Sequence, residues 1–155
     1  MNIFAIQIII FHSVKIYIGA ISPISKNLRL NQCTGYLNEN HEFIDSLPNE
    51  CPFPEKENYK HLSGDCQNYI RRLSRCETPD SDVVNTFRGE EGNKCRSFIQ
   101  DFFGVKNCYQ MTQNDPDFLG DKWRVWLSRD GIFDPDHDWL RLINREGEII
   151  DEYTY

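Results

Sequence analysis

The sequence predicts an α+β fold in which two short helices pack on a C-terminal antiparallel β-sheet and disulfides staple the whole. Three observations carry that expectation. Apolar residues recur at helical spacing between residues 63 and 103, and they alternate at strand spacing from Trp123 onward. Six cysteines all lie downstream of an apolar N-terminal run. The 155 residues fit one domain behind a leader. With 17 basic and 24 acidic residues the net charge is -7, which argues against a nucleic-acid surface built from clustered Lys and Arg. The 39% hydrophobic content is too high for a disordered chain.

Residues 1–20 read as a secretory signal peptide. Ile3 to Phe11 is apolar apart from Gln7, and small residues follow at Gly19, Ala20 and Ser22. Ala20 is the preferred cleavage point, with Ser22 and Ser25 as alternatives, and Pro23 disfavours the cut after Ser22. The competing reading is a membrane anchor, but a spanning helix needs about 20 mostly apolar residues and Lys15 falls inside that window. No other segment is apolar enough to span a bilayer, so no membrane association is expected after cleavage. The processed chain would carry 16 basic residues against 24 acidic, a net of -8.

Cys33, Cys51, Cys66, Cys76, Cys95 and Cys108 form an even set behind that leader, which reads as a disulfide framework. Six cysteines allow 15 pairings, and the spacing does not choose among them. Zinc is the alternative, but its sites favour close Cys-x2-4-Cys pairs and none occurs. Residues 21–62 read as an irregular arm, rich in Pro and Asn and pinned by Cys33 and Cys51. Residues 63–155 read as a single α+β domain.

Residues 63–76 put Cys66, Tyr69, Ile70, Leu73 and Cys76 on one helical face, with Ser63 or Asp65 as cap. Arg71, Arg72 and Arg75 occupy the back, where charge is an ordinary solvated face rather than an anion site. Residues 77–92, with Pro79, Gly89 and Gly92, read as a loop. A second helix is expected over 93–103, from Asn93 as cap to Gly104 as stop, with Cys95, Phe98, Ile99 and Phe102 as its stripe. WRVWLS from Trp123, WLRLIN from Trp139 and the closing EIIDEYTY then alternate as strands of a meander, with Gly turns at Gly131 and Gly147.

The strand Trp123 to Leu127 and the ending HDWLRLINREGEIIDEYTY resemble the closing strands of the lamin-tail domain, through Asp138, Leu140, Leu142, Gly147, Ile149, Ile150, Asp151 and Tyr153. The resemblance covers about a fifth of the chain. It implies an immunoglobulin-like β-sandwich and a binding or scaffolding role, in a family not defined by a catalytic constellation. The opening strands of that domain are not visible in residues 63–103, which read as helices.

Several residues invite chemistry. Asp134, Asp136 and Asp138 alternate in DPDHD and could supply calcium-binding oxygens, but EF-hand spacing is missing and turns favour Asp and Pro anyway. His137 with Asp138 or Asp136 could act as acid and base. A two-histidine, ribonuclease-like pairing of His41 or His61 with His137, with Arg71 or Lys94 on phosphate, lacks any motif that joins them. The meander's aromatics suit contact with a sugar or a protein, and the expected surface is Trp126, Trp139, Arg124 and Arg141 together with the DPDHD loop. Core packing competes for the same rings.

These readings converge on a secreted binding module without cofactor, facing an extracellular protein or glycan. A small secreted hydrolase or toxin-like effector using His137 is the alternative. The framework has a direct test. Intact mass of the secreted protein, with and without reductant, is expected to show three bridges; an alkylatable thiol before reduction would count against them.

Overall fold

The computed structural model describes residues 7–10, 13–129 and 139–154; for residues 7–10, 139, 140, 153 and 154 it describes the strand course only. The chain divides into two compact units, one of Asn31–Leu119 and one of Met1–Leu30 with Gly120–Tyr155. The expected boundary at residue 62/63 is not where they part. The reason is covalent: Cys33–Cys108 and Cys51–Cys76 tie the irregular arm into the helical unit.

The α+β class holds. The helical unit contains a 3-10 helix at Thr34–Glu39, then α1 Lys56–Tyr59, α2 Gly64–Ile70, α3 Ser81–Val84, α4 Gly89–Phe102 and α5 Val105–Thr112. Helices this short are not stable alone in water, so packing must hold them. Cys66–Cys95 joins α2 to α4, and its two half-cystines are 0% exposed. Around it lie Tyr59, Leu62, Ile70, Leu73, Val84, Ile99 and Phe103. A second buried cluster sets Tyr36 and Phe118 against the other two bridges. The Cα separations of Cys33–Cys108, Cys51–Cys76 and Cys66–Cys95, 5.8, 5.2 and 5.8 Å, lie in the ordinary disulfide range.

Local boundaries differ from the expected ones for identifiable reasons. Ser63 caps α2 by accepting the Cys66 N–H at 3.4 Å, as read. The helix stops at Ile70, where the Arg72 and Leu73 N–H groups bond to Tyr69 and Ile70 carbonyls three residues back. Cys76 then adopts φ 60°, so it lies off the helical face and turns toward Cys51. The expected loop at 77–92 contains α3, capped by Asp80 accepting the Asp82 N–H at 2.8 Å. Helix α4 starts at Gly89 rather than Asn93. Glu90 and Glu91 suit its positive N-terminal end and also pair with Lys94. Gly104, at φ 101°, ends α4 and also opens α5, a helix the sequence reading lacked.

The other unit holds a sheet of order β1-β2-β4-β3, made of β1 Gln7–Ile10, β2 Val14–Ile18, β3 Leu28–Asn31 and β4 Leu119–Leu127. Strand β2 pairs antiparallel with β1 and parallel with β4. Residues read as a leader thus form two strands of the full chain. The expected meander is corrected accordingly. β4 joins N-terminal strands, whereas β5 Trp139–Ile143 and β6 Ile149–Thr154 form a separate antiparallel pair. Their turn is the expected one, with Gly147 at φ 87° and the Asn144 Oδ1 accepting from the Glu146 and Glu148 N–H groups.

Peptide mapping without reduction is expected to recover Cys33–Cys108, Cys51–Cys76 and Cys66–Cys95. The double variant Cys66→Ala/Cys95→Ala opens a loop of 29 residues and is expected to lose about 3 kcal/mol in urea unfolding. Gly35→Ala is expected to cost about 2 kcal/mol or more, because a Cβ there would stand 2.3 Å from Cys76 Sγ and 2.6 Å from the Pro48 carbonyl oxygen.

Candidate functional site

Strand β4 carries the expected contact residues, and its partner β2 decides how they stand. The parallel register sets Lys15 beside Arg124 and Tyr17 beside Trp126. Alternation therefore puts those four side chains on one face and Val14, Ile16, Ile18, Val125 and Leu127 on the other. The second face is apolar, and Leu142 of β5 packs against it.

Trp126 is 8% exposed, and its ring stacks on the 1%-exposed Tyr17 at 5.4 Å between centroids and 13° between planes. Such stacking adds about 0.5–1.5 kcal/mol beyond area burial. In the full chain Trp126 is thus covered rather than presented. Trp123 is the tryptophan of this strand that reaches solvent, at 40% exposure with the Arg29 guanidinium 5.9 Å from its ring. Sequence alternation could not reveal this exchange, because it depends on which strand lies beside β4.

The arginines differ in their partners. Arg141 pairs with Glu152 at 3.4 Å across the β5–β6 ladder, an exposed pair worth at most about 1 kcal/mol. The Arg124 Nε is buried and has no hydrogen-bond partner among the described residues. Trp139 is placed in β5 by its backbone, and its side chain lies outside the described residues. So do His137, Asp134, Asp136, Asp138 and the rest of the DPDHD loop.

Trp126 also borders a cleft of about 420 Å³ with Ser22, Ser25, Lys26, Asn27 and Ser128. Its wall is a compact loop. Gly19, at φ 73°, ends β2 and donates its N–H to the Leu127 carbonyl at 2.8 Å. The Ser22 hydroxyl donates to the Lys26 carbonyl at 2.6 Å and accepts from the Ile24 and Lys26 N–H groups. Asn27 Oδ1 accepts the Trp126 backbone N–H at 2.9 Å, leaving its amide NH2 to donate. The Lys26 ammonium, the Asn27 NH2 and the Ser25 and Ser128 hydroxyls therefore line the cleft without protein partners among the described residues. That set suits an acceptor-bearing ligand such as a carboxylate or a sugar hydroxyl. Among the described residues, neither a carboxylate nor an imidazole lines it.

The helical unit has a smaller concavity of about 250 Å³ over Val84, Ile99 and Phe103, rimmed by Thr78, Asn85 and Gln100. Arg71, Arg72 and Arg75 do not converge on a site. Arg71 bonds Asn68, and Arg75 donates to the Cys51 carbonyl at 2.7 Å. All six cysteines are in bridges, and the described residues hold no cluster of His, Cys, Asp and Glu suited to a metal. Burial pushes the Tyr36 phenol above its ordinary value, against the lowering effect of the Gly104 N–H that it accepts at 3.1 Å.

Compared with known proteins, the chain matches no family model, no curated protein and no solved structure.

Ser25 stands at φ 59°, in the left-handed region that non-glycine residues pay to enter. Ser25→Gly is therefore expected to raise stability by about 0.5–1 kcal/mol in chemical unfolding, because the relief exceeds the added chain entropy.

Proposed function

We propose that this protein is a secreted, non-catalytic binding module whose contact surface, uncovered at Trp126 once residues 1–20 and with them Tyr17 are removed, is built on β4 and the hairpin β5–β6, around Trp126, Arg124, Trp139 and Arg141. The observation that carries the reading is the complete pairing and burial of six cysteines. Disulfides of this kind form and persist on the secretory route. A leader over residues 1–20 agrees with that route. Among the described residues, no helix is long and apolar enough to cross a membrane.

Binding is favoured by the chemistry of the β4 cleft, where, among the described residues, hydrogen-bond donors gather without a carboxylate or imidazole beside them. The resemblance of the closing strands to the lamin-tail domain supports the same role, since it implies recognition or scaffolding. An extracellular protein or glycan is the partner class that the donors and aromatics suit.

Expression of the full chain in a secretory host tests this. The medium is expected to yield a protein starting at Ile21 with three bridges. It is expected to retain acidic oligosaccharides or peptides on an array while leaving ester, RNA and peptide substrates unchanged. Hydrolysis of any of these that disappears in His137→Ala would overturn the reading in favour of a hydrolase.

A further inference from the structure

We propose that β4 is a strand acceptor whose edge, in the processed protein, takes an extended segment of another polypeptide with an acid opposite Arg124 and an aromatic residue opposite Trp126. This rests on the reading that residues 1–20 are removed.

The sheet order leaves β4 between β3 and β2. Loss of β2 opens one whole edge, along Trp123 to Leu127. Such an edge is a template for another chain, because its N–H and C=O groups point outward unpaired. The loss is also large in apolar terms. Among the described residues, Val14, Tyr17, Ile18 and Ala20 are the buried hydrophobic residues of the removed segment, against Leu30 and Trp126 in what remains of this unit. The Trp126 ring loses its stacking partner, and Val125 and Leu127 lose Val14, Ile16 and Ile18. A surface of this composition demands cover.

The occupant's chemistry follows from β2, which shows what the edge accepts. The register requires apolar residues at the places of Val14, Ile16 and Ile18, and an aromatic one at the place of Tyr17. The place of Lys15 is different. It lies beside Arg124, so two cations share one face, and the buried Arg124 Nε has no partner among the described residues. A carboxylate there would meet a guanidinium instead of a second cation. The fitted sequence is thus apolar–acid–apolar–aromatic–apolar, added in parallel as in other strand-addition modes.

The test uses the chain as secreted, its N-terminus read by intact mass. Peptides of residues 13–20 are titrated into it, read by tryptophan fluorescence and by anisotropy of a labelled peptide. The natural peptide is expected to bind saturably, and the Lys15→Glu peptide about tenfold tighter. The Tyr17→Ala peptide is expected to bind about tenfold weaker. N-methylation of the Tyr17 amide in the peptide should abolish binding, because the Trp123 N–H to Ser13 carbonyl and Gly19 N–H to Leu127 carbonyl bonds set a ladder phase in which the Tyr17 N–H donates to β4. Arg124→Ala in the protein should erase the gain from Lys15→Glu. If the processed unit is unfolded alone, the natural peptide should restore its near-UV dichroism, and failure to do so overturns the proposal. A protein that starts at Ile21 yet ignores the natural peptide at millimolar concentration overturns this inference alone. A secreted protein that starts at Met1 overturns the processing reading, and the acceptor with it.

Discussion

The Cys66–Cys95 bridge between α2 and α4 is the constraint on which the helical unit depends. Helix α2 has seven residues, and α1 and α3 have four each, far below the length at which backbone propensity sustains a helix. What fixes them is an apolar cluster gathered round one covalent link. A bridge closing 29 residues removes unfolded-chain entropy that a cluster of this size would otherwise have to offset alone. The aromatic contacts then follow the staple. Phe53 meets Phe103 edge-on at 5.9 Å, and Tyr69 meets Phe87 at 5.7 Å. Phe53, Tyr69 and Phe87 pack against the same cluster that holds Cys66, Cys95 and Phe103.

The sheet unit is organised on another principle. It contains no cysteine, and its order comes from a strand at its centre. Hydrogen bonds run from β2 to both β1 and β4, and its alternating side chains supply both faces of the sheet. Tyr17 on one face and Val14 with Ile18 on the other are the buried anchors. A central strand that is hydrophobic on both faces reads as a near-continuous apolar run. A secretory leader reads the same way. One stretch of sequence therefore satisfies two physical descriptions, and composition alone cannot separate them.

This is where the sequence was legible and where it was not. Periodicity placed α2, the body of α4, β4 and the β5–β6 hairpin, because each has an apolar stripe or alternation of its own. Glycine conformation was harder to read. Gly104 looks like a helix stop, and it is one, but the same positive φ also opens α5, whose weaker stripe is Cys108 and Thr112. Cys76 shows a similar limit: its spacing from Cys66 and Leu73 is helical, yet its thiol is claimed by Cys51 through a left-handed turn. Long-range pairing was invisible in both cases. The burial of Trp126 belongs to the same class, since Tyr17 lies more than a hundred residues away in sequence.

Lys15 weighs differently in the two descriptions of the N-terminal run. A charged residue in the second half of a leader weakens it, because the apolar core must be nearly free of charge. In a strand the same residue is easily held. Alternation puts Lys15 on the face of Tyr17, where its ammonium stands 5.8 Å from that ring, while Val14 and Ile16 keep to the opposite face. A long aliphatic stem can lie along apolar surface and keep its charge in water. The cost of that arrangement falls on Arg124, its neighbour across the ladder, which gains a like charge where an acid would suit it better. The N-terminal segment thus fills the β4 edge in shape and hydrophobicity while setting two cations, Lys15 and Arg124, side by side.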